Sequence, residues 1–372
     1  MSKNKMTEKS CSSRLGKVGG QAVLEGVMMK AGEKTVTTCR KEDGSVVVYD
    51  STFTSVRKKH KFLNIPILRG IINFVEMMIL SVKTLSASAD ALGIEEEEGK
   101  AAKWMKKHLG VGVTDVIMIL GVVLGVVLAL GLFMFLPNFI AEWIERLVVY
   151  VFEAGLGVGK AVIEGVIKVA VFLLYLWLVS FMPDIKRTFM YHGAEHKTIA
   201  CFEAGAELTV ENAKQYERFH PRCGTSFMFF MILLGIVAGI IIRLFIPSNF
   251  PTIAYTGIRI LILPFIVGLG YEFIMYAGKH NNMVVRILSA PGLWVQRLTT
   301  KEPTDDMLEI AIISTKCALR DEFSEFMEFY KSEAWKNESA GCKASAEEPS
   351  ETSAADTQSN GENDSPLENG ES

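Results

Sequence analysis

VTDVIMILGVVLGVVLALGLFMFL, residues 113–136, decides the architecture. It is apolar over a length that meets the roughly 20 residues a helix needs to cross a hydrocarbon core. Three further stretches of the same kind follow, at approximately 161–182, 226–246 (SFMFFMILLGIVAGIIIRLFI) and 254–276. Glycine and alanine recur among the large apolar residues of the first and third, so neighbouring helices can approach closely and pack as a bundle. The expected fold class is therefore mainly α, a polytopic membrane helix bundle of about four spans.

Composition agrees. Apolar residues make up 49% of the chain, more than a soluble protein of this size can cover with charge. The net charge of -3 gives no general reason to expect a nucleic-acid partner. The lipid bilayer is the expected partner, with other membrane proteins as a further class, and nothing points to an oligomeric state. The six cysteines lack the dense pairing of a secreted disulfide scaffold and read as reduced thiols. The first 30 residues show no apolar core followed by a cleavage site, so no signal peptide is expected.

Lysine and arginine orient the spans, since they accumulate in short cytoplasmic flanks. Lys100, Lys103, Lys106 and Lys107 precede the first span. Lys186, Arg187, Lys197, Lys214, Arg218 and Arg222 fill the connection between the second and third. Both ends of the chain are thus expected on the cytoplasmic side of the cell membrane, with 137–160 and 247–253 outside.

Two apolar segments fit less well as spans. Pro66, Arg69, Gly70, Glu76 and Lys83 interrupt 62–92, and crossing would export Arg57, Lys58, Lys59 and Lys61, so an interfacial or re-entrant helix is expected there. PNFIAEWIERLVVYVFEAG (137–155) reads as a second interfacial helix, with Trp143 and Tyr150 at headgroup depth. Ahead of them, alternation over 20–56 and the turn Glu42-Asp43-Gly44-Ser45 predict a small cytoplasmic β-hairpin or sheet.

The domain plan that results is a disordered N-terminus (1–18), the β element (19–61), and the interfacial helix with a basic linker (62–110). The four-span bundle (111–276), cytoplasmic helices (277–336) and a disordered acidic tail (337–372) complete it. Within the bundle, Glu164 and Lys168 are expected to neutralise each other. Arg243, Arg259 and Glu272 lie near span ends, where snorkelling suffices. No chain of charges crosses the bilayer centre, which makes a coupled transporter the weakest functional class.

The segment 183–225 is too long for a plain loop and needs structure of its own. Pro183 and Asp184 start a helix expected to continue through Glu203 and stop at Gly205. His192 and His196 then sit one turn apart with Glu195 beside them, giving His-x-x-Glu-His, a spacing that can hold one divalent metal. His220 and Cys223 in HPRCG offer two more ligands, and Glu203 a reserve oxygen. Zinc is the first choice for mixed nitrogen and sulfur ligands. Four protein ligands would close a structural site, whereas three would leave a position open and make Glu195 a candidate catalytic base. Both alternatives stand at this point. GGQAVLEGVMMK (19–30) lacks the spacing of a phosphate-binding loop and reads as a tight turn entering a strand, with Glu25 within reach of the site.

GGQAVLEGVMMK, LRG (68–70), YHGAEHKTI (191–199) and HPRCGTSF (220–227) together resemble the YqhQ-like family of bacterial membrane proteins, over roughly residues 18–300. These proteins are of unknown function and are sometimes labelled predicted metal-dependent enzymes. The resemblance implies that His192, Glu195, His196, His220 and Cys223 occupy positions suspected of metal binding, and that Gly19, Gly20, Glu25 and Gly26 belong to the first family motif. It names no substrate. A cytoplasm-facing, metal-dependent hydrolase-like enzyme is the leading expectation, against a non-enzymatic scaffold or assembly factor with a closed metal site.

Overall fold

The computed structural model describes residues 14–93, 113–153, 155–246, 250–277 and 282–327. The acidic tail, most of the N-terminal segment and the basic flank at 100–107 lie outside the described residues. Four strands, Val18–Val23 (β1), Gly26–Ala31 (β2), Lys34–Arg40 (β3) and Val46–Thr52 (β4), are followed by helices. In chain order these are Val56–Lys59 (α1), Leu68–Ala91 (α2), Val113–Leu130 (α3), Leu136–Phe152 (α4), Gly159–Val179 (α5), Pro183–Glu203 (α6), Val210–Lys214 (α7), Gly224–Phe245 (α8), Thr252–Ala277 (α9), Met283–Thr299 (α10) and Asp305–Ala318 (α11).

The expected small sheet is an antiparallel meander in the order β1-β2-β3-β4. Its last turn is the expected one: Gly44 adopts φ 83°, and the Ser45 amide donates to Asp43 Oδ1 at 2.8 Å. The sheet is buried on both faces, as the unbroken burial of Gly26, Val27, Met28 and Met29 shows. Val27, Met29, Val36 and Val48 pack against Tyr191 and Phe202 of α6 and Leu308 and Ile310 of α11. On the other face Val23, Met28 and Cys39 meet Leu80 and Ala91 of α2. Each such side chain contributes about 1.5–3 kcal/mol on leaving water. The resulting head is assembled from the start, the middle and the end of the described chain.

The bundle has the opposite surface. Leu120, Leu124, Leu128, Trp177, Leu244 and Leu261 are all exposed, as expected of side chains that face lipid. Five helices are long and apolar enough to cross a membrane by length and composition, namely Leu68–Ala91, Leu120–Phe152, Gly159–Val179, Gly224–Phe245 and Ile253–Ala277. The last four overlap the four spans expected from the sequence. Their apolar surfaces make the chain a multi-pass membrane protein.

One segment differs from expectation for an identifiable reason, and a second shows where its polar residues go. Residues 136–152 are no separate surface helix, because α3 runs into α4 through a single π turn at Gly131–Phe135. Pro137 lacks the amide that would bond one turn back, and the wide turn accommodates it. Pro137, Asn138 and Ala141 are buried, and α4 packs lengthwise on α5. In α2, two of the charged residues that interrupt its apolar run are met inside the protein, while Lys83 is exposed. Arg69 forms an ion pair with Glu272, and the Glu76 carboxylate accepts from Ser55 Oγ and the Val56 amide. Ile67, just before α2, holds a φ of 69°, unusual for a β-branched residue, with its amide bonded to Glu272 and its side chain against Gly268.

The intramembrane charges also depart from expectation. Arg259 does not snorkel but forms an ion pair with Glu164, and Lys168 stands 3.6 Å from the same carboxylate. Within hydrocarbon, two cations sharing one carboxylate is far cheaper than either exposed alone.

Candidate metal centre

The centre is built on α6, whose limits match those the sequence predicts. Pro183 and Asp184 lie in the first turn, where a missing amide and a negative charge are both favourable, and Gly205 at φ 76° turns the chain away after the last. At mid-helix the His192 and His196 rings lie 4.4 Å apart, centroid to centroid.

Both rings are oriented by main-chain carbonyls. Nδ1 of His192 donates to the Thr299 carbonyl at 2.9 Å, and Nδ1 of His196 to the Arg218 carbonyl at 2.6 Å. That leaves Nε2 of each imidazole as the atom available to a ligand, the arrangement by which metal-binding histidines are commonly fixed. Cys223 arrives from the turn that opens α8. Its Sγ lies 3.1 Å from His192 Nε2 and 3.2 Å from Thr225 Oγ1.

One ligand atom from each of His192, His196 and Cys223 lies within 4.8 Å of the others. Tetrahedral zinc with bonds of about 2.1–2.3 Å sets its ligand atoms about 3.5 Å apart, so the three residues fit one ion after movements below about 1 Å. The donor chemistry, two imidazoles and a thiolate, suits the same ion.

The electrostatics are those of a coupled pair. Burial raises the Cys223 thiol, but the adjacent His192 and His196 imidazoles overcome it and bring the thiol well below its ordinary value. Burial lowers the His192 imidazole, yet the Cys223 thiolate outweighs that and the ring is raised to about 9. Both shifts favour a proton between Nε2 and Sγ.

His220 stands one step back from the three. Its ring is 5.6 Å from that of His196, and its Nε2 is 3.5 Å from Glu203 Oε2. Glu203, the reserve ligand, is committed elsewhere: it accepts from the Gly16 amide at 2.8 Å and pairs with Arg222. Glu25 likewise pairs with Arg187 and accepts from the Tyr191 hydroxyl at 3.3 Å.

Glu195 is fully inside. Its carboxylate accepts from the Gly20 amide, while Oε2 is buried without a hydrogen-bond partner among the described residues. Burial holds the carboxyl above the ordinary carboxylate range, against the pull of His192 and His196. A Cβ on Gly20 would lie 3.0 Å from Glu195 Cδ and 2.8 Å from the Met28 carbonyl, so the strand could not come this close with any side chain there. Gly193 has the same role on the other side, where a Cβ would meet the Lys301 carbonyl at 2.1 Å.

Several positioning residues carry no sequence signature. Gln296 of α10 is wholly buried and clamps the Cys223 turn: it accepts from the His220 amide at 2.8 Å and donates to the His220 carbonyl at 2.7 Å and Ser226 Oγ at 2.6 Å. An amide amid the apolar residues of GLWVQRL was the available clue. Thr299 and Arg218 act through their carbonyls, which any residue could supply.

A family model described as a protein of unknown function (DUF1385) matches residues 65–321. An uncharacterized protein YqhQ of Bacillus subtilis (strain 168) is 35% identical over 308 residues, covering 81% of this chain and 92% of the relative. No solved structure matches. The matched stretch contains the whole centre from His192 to Thr299, and the chain belongs to this YqhQ-like DUF1385 family.

Proposed function

We propose that this multi-pass membrane protein is a metal-dependent, hydrolase-like enzyme whose centre faces the cytoplasm, with His192, His196 and Cys223 holding a divalent ion, zinc by donor type. The observation that carries this reading is the orientation of the two imidazoles: both Nδ1 atoms are fixed on carbonyls, and both Nε2 atoms are left beside one thiolate. Bound there, zinc would supply Lewis-acid polarisation. Three protein ligands suit an open site better than a closed one.

The chain's own groups cover the rest. Glu195 has one carboxylate oxygen without a partner and a raised proton affinity, the properties of a general base. Gly20 fixes its other end. The proton shared by His192 and Cys223 leaves on metal binding, so loading is opposed by acid. The cytoplasmic placement follows from the basic residues of 183–225.

The second reading, a scaffold with a structural metal, draws on one observation: Gln296 and Thr299 tie the ligands to the junction of head and bundle. Metal analysis of purified protein tests both. About one zinc per chain is expected, and it should fall severely in His192→Ala. Absence of metal in the unaltered protein removes both readings. Glu195→Gln divides them: an enzyme keeps its metal and loses function in cells, whereas a scaffold keeps both.

A further inference from the structure

We propose that α10 lies in the membrane surface on the side of the head and binds anionic phospholipid there. Residues well separated along α10 meet adjacent residues of α8. A Cβ on Gly292 would lie 2.7 Å from Ser226 Cβ, Gln296 Nε2 donates to Ser226 Oγ at 2.6 Å, and the Thr299 hydroxyl donates to Thr225 Oγ1 at 3.4 Å. Such a contact is a crossing, so α10 passes over the opening turn of α8 instead of running down its length. The other end of α10, Met283, follows closely on Ala277, where α9 closes. Phe273 in the last turns of α9 stacks on Phe230 in the second turn of α8, with centroids 4.1 Å apart. Both ends of α10 therefore sit at the head-side end of the bundle, and the helix, about 25 Å long, spreads across it.

One face of α10 is fixed inward. Val285, Gly292, Val295, Gln296 and Thr299 are buried, and Val295 joins the cluster of Phe172, Leu176 and Phe229. The bonds of Gln296 to His220 and Ser226 set the rotation of the helix, so the opposite face cannot turn in. That face is apolar and bare: Met283 is 76% and Trp294 69% exposed, with Val284 and Ile287 exposed between them. Met283, Ile287 and Trp294 share one stripe by helical pitch. The stripe continues the lipid-facing surface, because Trp177 beside Leu176 on α5 and Met228 in the first turns of α8 are exposed at the same end.

The edge of the stripe is basic. Arg286 and Arg297 are exposed on one side of the helix, which carries no acidic residue. Neither has a carboxylate partner among the described residues, and Arg297 instead lies over the Trp294 ring, 5.2 Å from its centroid. An apolar stripe, a Trp at its rim and an edge of arginine match a helix seated at headgroup depth. Near an anionic surface, each arginine strengthens the contact about fivefold.

Trp294 reports on its own surroundings. The full-length protein is reconstituted in equimolar phosphatidylglycerol and phosphatidylcholine, with bromine on the acyl chains of one lipid or the other. The emission lost in Trp294→Phe isolates this residue from the other tryptophans. Brominated phosphatidylglycerol is expected to quench it about fivefold more efficiently than brominated phosphatidylcholine, and aqueous acrylamide hardly at all. Arg286→Gln combined with Arg297→Gln, both at exposed side chains, should equalise the two lipids without shifting the unfolding temperature. Quenching by acrylamide alone would place the face in water. Resistance to acrylamide and to both lipids would place it against a second copy or another protein. Either result overturns the proposal, as does equal quenching by the two lipids in the unaltered protein or a preference that survives the double substitution.

Discussion

The head and the bundle both bury charge, and they treat it differently. In the bundle, Glu164 is 2% exposed, its Oε1 is held by both Arg259 and Lys168, and neither of its oxygens is buried without a partner among the described residues. In the head, Glu195 is 5% exposed and one of its oxygens has no partner. A buried charge that is neutralised is compatible with a structural role. One left partly unsatisfied opposes folding, and its retention points to chemistry. On the function proposed above, the contrast marks the head as the place where function outweighs stability.

Substitutions can break or sharpen that contrast. The largest effect is expected from Glu164→Leu, which leaves Arg259 and Lys168 facing each other. Removing one partner of a buried pair costs about 3–5 kcal/mol, read as a fall in thermal unfolding temperature in detergent. Arg259→Leu should cost less, because Lys168 still answers Glu164. Next is Gly193→Ala, whose Cβ would overlap the Lys301 carbonyl, at about 1–3 kcal/mol with loss of metal retention.

Gln296→Leu strands the His220 amide and carbonyl. It should weaken zinc retention about 10–100-fold in a chelator competition while costing about 1–3 kcal/mol. Glu195→Gln should leave unfolding within about 1 kcal/mol of the parent or raise it, since a neutral amide is cheaper to bury than a carboxylate. If it destabilises as strongly as Glu164→Leu, the contrast between the two regions fails. Smallest of all, Glu309→Gln removes a surface partner of Arg40 and should change stability by no more than about 0.5 kcal/mol.

Local spacing was legible in the sequence, and long-range pairing was not. The limits of α6, the turn at Gly44 and the apolar helices all follow from residues close in sequence. So does the facing of His192 and His196, because helical pitch alone sets it. Cys223 was found because its chemistry is rare. His220, equally rare, was grouped with the ligands, but spacing cannot show that Glu203 engages it. Thr299, Arg218 and Gln296 stayed hidden because their work is done by carbonyls and one amide, groups with no distinguishing pattern. The Arg259 to Glu164 pair was missed for a related reason: position near a span end predicts an aqueous partner, and only tertiary packing supplies an internal one.

The head draws β1 to β4, α6 and α11 from stretches near residues 18–52, 183–203 and 305–318. At a synthesis rate of about 5–20 residues per second, the sheet waits roughly 10–50 s for the helix that seals it. During that interval Val27, Val36 and Val48 lack their Leu308 and Ile310 cover. A ribosome stalled late in the message would therefore leave a chain already threaded through the bilayer but displaying an uncovered sheet, a mark by which quality control could tell unfinished copies from finished ones.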